Sequence, residues 1–194
     1  MEESLAYRIA NLAKTFVKCL FKKGMLLVIL EEKNLLKSGM MAHGESRVKI
    51  SEEGKALIKK FEGCELESYH CSASVLTIGY GHTKGVSDGD TCTQEEADKM
   101  LAEDLEEFEG YVDKYVEVDL SQNQRDAIIA WTFNLGPRNL KSSTMLKELN
   151  AGNYAKVPSE MRRWNKAGGQ TLEGLIRRRE AESLLFEGKE WHEV

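Results

Sequence analysis

The sequence predicts an α+β fold, mainly helical, with one small antiparallel β-hairpin sheet. Two observations carry this prediction: apolar residues recur at helical spacing after residue 51, and the segment Val75–Tyr80 has the β-branched and aromatic content of a strand. The charge changes near residue 50, because residues 1–50 carry nine Lys/Arg and five Asp/Glu, whereas the rest carry eighteen and twenty-seven. We therefore expect an N-terminal extension of unknown role at residues 1–49 and one domain at residues 50–194.

The first helix of this domain is expected to begin after Ser51. A serine is a favoured N-cap, and two glutamates follow in the first turn, where the helix dipole favours negative charge. Leu57, Ile58 and Phe61 supply an apolar face at helical spacing. The helix should end near Gly63.

The remaining elements are predicted by caps and spacing. Residues 63–89 form a polar, Gly-containing stretch that includes the strand of the hairpin sheet. Capping boxes at Thr93–Glu96 and Ser121–Gln124 predict two long helices. Shorter helices are expected near Thr144–Asn150, Pro158–Trp164 and Leu172–Phe186.

Composition excludes several classes of function. A formal net charge of −5 argues against a protein that coats nucleic acid. The apolar run Met25–Leu30 is too short to span a membrane, and no convincing cleavage site follows it, so we expect no stable membrane insertion. This segment is either an amphipathic membrane-surface helix or upstream sequence before a domain that starts at Met40 or Met41; we favour the second. The four cysteines lack zinc-like spacing, and neither a metal nor a cofactor is expected.

Glu62 is the first candidate for chemistry. It stands at the end of the first predicted helix, beside Phe61. The negative end of the helix dipole and a partly apolar setting would both raise the pKa of its carboxyl. A carboxyl that stays protonated near neutral pH is what a general acid for glycosidic cleavage requires.

The spacing around Glu62 adds a more specific signal. Eight residues separate Glu62 from Cys71, and five separate Cys71 from Thr77. This pattern resembles the Glu, Asp or Cys, Thr triad of the phage-type lysozymes, glycoside hydrolase family 24. Agreement over roughly residues 51–190 extends to Phe61–Gly63, Thr77–Thr83, Asn123–Gln124, Phe133–Gly136, Arg163–Trp164 and Arg177–Glu180.

The resemblance implies a role for each member of the triad. Glu62 would protonate the departing glycosidic oxygen, while Cys71 and Thr77 would hold the attacking water on the opposite face of the sugar, from a hairpin that flanks the active-site cleft. Cys replaces the commoner Asp here, and a thiol is a poor base unless its usual pKa of about 8.5 is lowered. Cys71 is therefore expected either to position water as a thiol or to act as a thiolate.

A second cysteine near the triad resembles a subgroup of this family. In signal-anchor-release endolysins a cysteine two residues after the catalytic Glu can pair with the catalytic cysteine and lock the site. Cys64 and Cys71 match that arrangement, which implies a regulatory disulfide, and Cys19 would be the exchanging thiol. The N-terminal segment departs from the subgroup because it lacks the long, weakly hydrophobic anchor.

Two further residues are expected to support the site. By resemblance, His82 would pin the hairpin through hydrogen bonds. Arg177 lies in a basic run that reads either as a solvated face or, by resemblance, as a group pointing back toward the helix that bears Glu62. With Arg162, Arg163 and Lys166, this run would also make part of the cleft wall positive.

The expected activity is hydrolysis of the β-1,4 bond between N-acetylmuramic acid and N-acetylglucosamine in bacterial peptidoglycan, leading to host-cell lysis. Open alternatives are a lytic transglycosylase, a cysteine peptidase or amidase using Cys71 and His82, and a non-catalytic cell-wall-binding module. The enzyme is expected to be a monomer whose partner is peptidoglycan. It should accumulate in the host cytoplasm and reach the wall through a separate membrane pore.

Overall fold

The computed structural model describes residues 48–71 and 74–194. The predicted extension therefore lies almost wholly outside the described residues, and so does Cys19. The described part is α+β, as predicted. Its elements, in order, are α1 (Glu52–Glu62), β1 (Glu65–His70), β2 (Leu76–Gly79), α2 (Gln94–Tyr115), α3 (Gln122–Leu135), α4 (Pro137–Ser142), α5 (Thr144–Asn150), a 3-10 turn (Tyr154–Lys156), α6 (Val157–Arg162), β3 (Lys166–Ala167), β4 (Gln170–Thr171) and α7 (Glu173–Phe186).

The core is built around α3, which packs against α1, α2 and α7. Every residue of α3 from Asp126 to Leu135 is buried, so this helix is apolar nearly all round, as a central helix must be. Both predicted capping boxes are present: Thr93 caps α2 and Ser121 caps α3, each paired with the side chain three residues on.

The start of α1 is fastened to α3. Ser51 caps α1, and its backbone N–H and hydroxyl both donate to the carboxylate of Asp126, the N–H at 3.0 Å. Gly54 allows this approach, because a Cβ there would lie 2.7 Å from Ile50 and 2.8 Å from Asp126. At its other end α1 stops at Gly63, whose φ of 66° favours glycine. The two ends of α1 are thus fixed, and Glu62 is its last residue.

Two small sheets accompany the helices. Strand β1 pairs with β2 in antiparallel register, with Tyr69 opposite Thr77 and an irregularity between Glu65 and Tyr69. The β3–β4 hairpin and the short helix α4 were not predicted from sequence. Within the described ranges, no helix has both the length and the apolar character needed to cross a membrane.

Candidate active site

Glu62 is buried at the end of α1, with 8% of its surface exposed. Its carboxylate accepts from Arg178 of α7, with 2.8 Å between Oε1 and Nη1. The Arg178 side chain is itself buried, 4% exposed. Burial favours the neutral acid at Glu62, whereas the guanidinium favours the carboxylate, so two opposing effects act on the proton of this group.

Arg178 also binds Glu182, with 3.1 Å between Nε and Oε1. Burial alone would lower the pKa of Arg178, but the carboxylates of Glu62 and Glu182 raise it above its ordinary value. Arg178 therefore remains a cation, fixed between two buried carboxyl groups.

The β1–β2 hairpin lies beside Glu62. Burial, with the charges of Glu62 and Glu65, raises the pKa of Tyr69 on β1 to about 12. Thr77 is opposite Tyr69 in the register, so their side chains share one face of the hairpin. Thr77 is 3% exposed, and its hydroxyl donates to the carbonyl of Val75 at 3.0 Å. The structure thus places Thr77 on the face of the hairpin that carries Tyr69, and the Tyr69 hydroxyl interacts electrostatically with Glu62.

Cys71 follows β1 directly and is held in the turn of the hairpin. Its N–H donates to the carbonyl of Val75 at 3.0 Å, and its own carbonyl accepts from Ser74 at 2.7 Å. The side chain is buried and disulfide-bonded. In this structure Cys71 is therefore neither a thiol nor a thiolate.

Cys64 and Cys92, in contrast, carry free thiols. The disulfide expected between Cys64 and Cys71 is therefore not formed in this structure. The reason is geometric: extended strand β1 separates the two residues by roughly 20 Å at about 3.3 Å per residue, and a disulfide needs Cα atoms within about 7 Å. The Cys64 thiol instead contacts Tyr80 and Gln94, and burial raises its pKa.

His82 joins the loop after β2 to α2. Its Nδ1 lies 3.0 Å from Oδ2 of Asp104, and its Nε2 lies 2.9 Å from the carbonyl of Lys84. Its backbone N–H donates to the carbonyl of Ile78 at 2.8 Å. With both ring nitrogens engaged, His82 serves as a connection between elements.

The prediction for Arg177 was wrong by one position. Arg177 is exposed and donates to the carbonyl of Val194 at 2.8 Å, whereas Arg178 reaches Glu62. Helical geometry explains the difference, since Leu175, Arg178, Arg179, Glu182 and Leu185 recur at spacings of three and four and form the buried face of α7. The apolar positions 175 and 185 were the signal that identifies Arg178.

The positive cleft wall expected from the basic run is largely neutralised. Arg162 binds Glu180, with 2.6 Å from Nε to Oε2, and Arg163 binds Glu160 at 2.9 Å.

In the part of the chain that the structure describes, no group of three or more His, Cys, Asp or Glu side chains is arranged to hold a metal ion.

Several known proteins are similar to this chain over most of its length. The family model "Phage lysozyme" matches residues 59–182. An endolysin of Acyrthosiphon pisum secondary endosymbiont phage 1 is 45% identical over 142 residues, covering 71% of this chain and 97% of that protein. The endolysin of Salmonella phage P22 is 37% identical over 144 residues, covering 72% and 98%. The endolysin of Bacillus phage B103 is 44% identical over 142 residues, covering 71% of this chain, but this chain spans only 53% of its length.

Solved structures agree with these relatives. The muramidase domain of SpmX from Asticaccaulis excentricus superposes with a TM-score of 0.69 at 37% identity, covering 72% of this chain and 98% of that one. A mutant of P22 lysozyme gives 0.68 at 36% identity, with coverage of 72% and 99%. The chain therefore belongs to the phage lysozyme family.

Proposed function

We propose that this chain is an endolysin that hydrolyses the β-1,4 bond between N-acetylmuramic acid and N-acetylglucosamine of bacterial peptidoglycan. The activity is assigned to residues 50–194. One observation carries the proposal: a buried carboxyl, Glu62, is held by a buried arginine beside the hairpin that bears Thr77. Membership of the phage lysozyme family supports it, as do relatives named endolysin that are 37–45% identical.

The first step of the proposed mechanism is proton transfer from Glu62 to the departing glycosidic oxygen. A buried carboxyl suits this role because removal from water favours the protonated form. Arg178 opposes that effect in the resting enzyme, and it stabilises the carboxylate that proton transfer leaves behind. Glu62 is then reprotonated from solvent for the next cycle.

Water is the second reactant, and Thr77 is proposed to orient it. The hydroxyl hydrogen of Thr77 is committed to the carbonyl of Val75. The oxygen lone pairs therefore accept a hydrogen from water, which directs a lone pair of that water toward the anomeric carbon. As the water oxygen bonds to the anomeric carbon, the water loses a proton, which passes to Cys71 if this residue is a thiolate and to solvent if it is a thiol. Either state requires that an external thiol first reduce the disulfide of Cys71.

Product analysis tests the function. Purified peptidoglycan is digested with wild type and with Glu62→Gln, and the fragments are analysed by mass spectrometry. We expect disaccharide-peptides ending in reducing N-acetylmuramic acid from wild type and none from Glu62→Gln. Glu95→Gln makes the same chemical change at an exposed site in the first turn of α2 and should leave the products unchanged. Anhydro-muramic products would establish a transglycosylase, and cut stem peptides or binding without products would refute the assignment.

The redox state of the cysteines is tested separately. Mass spectrometry of alkylated, unreduced protein should show modification at Cys64 and Cys92 but not at Cys71. Reductant should then raise the rate of peptidoglycan cleavage. A Cys64–Cys71 linkage in the isolated protein would require strand β1 to unpair, and finding it would establish the regulatory disulfide that the sequence suggested.

The proposal also covers where the enzyme acts. We place it in the host cytoplasm before lysis and on the cell wall after release through a separate membrane pore. Expression with and without a co-expressed pore, followed by culture turbidity, tests this order. Lysis without the pore would contradict the proposed order. One relative, from Bacteriophage PS119, is named a SAR-endolysin.

A further inference from the structure

A cluster of four charged side chains lies buried behind the proposed catalytic acid. Glu62 and Arg178 are 5% and 4% exposed, and Arg179 and Glu182 are fully buried. Buried charges are costly unless they are paired. The cluster contains two acids and two bases, so its formal charges balance when Glu62 is ionised and leave one positive charge in excess when Glu62 is protonated.

Glu182 is shared by the two arginines. Its Oε1 lies 3.1 Å from Nε of Arg178 and 2.9 Å from Nη2 of Arg179, and its Oε2 lies 2.9 Å from Nε of Arg179. Arg179 also donates to the side-chain oxygen of Asn134 at 2.8 Å. Glu182 and Glu62 therefore bind the same guanidinium of Arg178 through different nitrogen atoms.

We propose that Glu182 is a positioning residue that limits the attraction of Arg178 and Arg179 for the Glu62 carboxylate, so that Glu62 keeps its proton to a higher pH than it would beside two unpaired cations. The inference rests on the proposed function of Glu62 as general acid. The physical argument is charge balance. Without Glu182, two uncompensated cations would lie behind Glu62 and would hold it ionised, which is the wrong state for an acid.

The other groups around the cluster do not replace Glu182. The raised pKa of Tyr69 on β1 keeps its hydroxyl neutral, β2 contributes the uncharged Thr77, and the neighbouring turn contributes the disulfide-bonded Cys71. On α3 the contacting group is the neutral Asn134. The charged groups of the other packed helices have partners outside the cluster. On α1 these pairs are Lys55 with Glu52, Lys59 with Asp98, Lys60 with the carbonyl of His192, and Glu53 with Trp191. At α6 they are Glu160 with Arg163 and Arg162 with Glu180.

The test is the pH dependence of kcat/KM on peptidoglycan fragments, which reports the ionisation of the free enzyme. Glu182→Gln should move the alkaline limb to lower pH by about one unit, a tenfold loss of rate above that limb. Glu180→Gln is the matched control, because Glu180 also binds an arginine of this region but lies partly exposed on the outer side of α7. The alkaline limb of the Glu180→Gln profile should stay at the wild-type pH.

A second variant should shift the alkaline limb in the opposite direction. Arg179→Gln removes one positive charge, so that Glu182 pairs only with Arg178. The attraction of the cluster for the Glu62 carboxylate is then weaker, and the alkaline limb should move to higher pH. The double variant should return toward wild type, which a purely structural role of Glu182 would not produce. If Glu182→Gln does not fold, the Arg179→Gln shift alone decides, and an unchanged or acid-shifted limb overturns the inference.

Carbon-13 NMR titration of the Glu62 carboxyl, assigned by its loss in Glu62→Gln, separates the inference from the function beneath it. A lower Glu62 pKa in Glu182→Gln supports the coupling, and an identical titration in the two proteins refutes it. Retained muramidase activity in Glu62→Gln would instead refute the proposed function, whatever the titration shows.

Discussion

Replacing Arg178 by methionine should destabilise the protein in a strongly pH-dependent way. Methionine keeps much of the side-chain volume but removes the cation that binds Glu62 at 2.8 Å. Glu182 keeps its ion pair with Arg179 at 2.9 Å, so the principal loss falls on Glu62, which is 5% exposed at its side chain. A carboxyl that loses a buried partner becomes protonated on folding.

The magnitude follows from the energy of that protonation. An unfolded glutamate has a pKa of about 4.3, and each pH unit above this value costs about 1.36 kcal/mol. Keeping Glu62 protonated in the folded variant therefore costs up to about 3.7 kcal/mol at pH 7 but only about 1 kcal/mol at pH 5. In wild type the guanidinium of Arg178 favours the ionised form of Glu62. The folded variant therefore holds this proton to a higher pH than wild type does, and its stability relative to wild type falls as pH rises through the range in which wild-type Glu62 ionises.

Urea unfolding at pH 5 and pH 7 measures this difference directly. The matched control is Arg177→Met, which makes the same change at the exposed neighbouring position and should cost no more than about 0.5 kcal/mol at either pH. Equal losses for the two variants would refute the assignment of the ion pair to Arg178. A loss in Arg178→Met that is the same at both pH values would refute the protonation argument.

Three other perturbations test separate contacts. Asp126→Asn should lower the free energy of unfolding by about 1–3 kcal/mol, because Asp126 accepts from both the N–H and the hydroxyl of Ser51; urea unfolding measures this, and a change below about 0.5 kcal/mol would contradict it. His82→Ala should lower the thermal midpoint by releasing the loop from Asp104, and calorimetry that finds no change would show the contact to be dispensable. Thr77→Val should reduce kcat about 100-fold or more if its hydroxyl orients water, whereas Thr77→Ser should retain most of the rate; equal losses would rule out that role.

The elements with strong local signals were predictable from the sequence. Serine and threonine caps defined the starts of α1, α2 and α3, and apolar spacing defined their buried faces. Helix α4 was missed because it has six residues, of which only Pro137 and Leu140 are buried. Strand β1 was not located because its six residues are exposed or half-buried and lack an apolar alternation.

The site was predictable only in part. The family resemblance carried by the spacing of Glu62, Cys71 and Thr77 implied an acid at the end of a helix and two groups on the adjacent hairpin. Arg178 and Glu182 were missed although Leu175 and Leu185 mark the buried face of α7, because the contacts of these charges with Glu62 and Arg179 depend on how α7 packs. The bonding of Cys71 was also beyond the sequence, since the extension of β1 between Cys64 and Cys71 decides it.

The central claim is that Glu62 acts by giving a proton to the leaving group. The most direct measurement compares wild type and Glu62→Gln on peptidoglycan and on a disaccharide with a dinitrophenyl leaving group, which departs without protonation. We predict that Glu62→Gln loses a factor of at least about 100 on peptidoglycan, and that most of this loss disappears on the dinitrophenyl substrate. An equal loss on both substrates would contradict the claim that Glu62 is the acid.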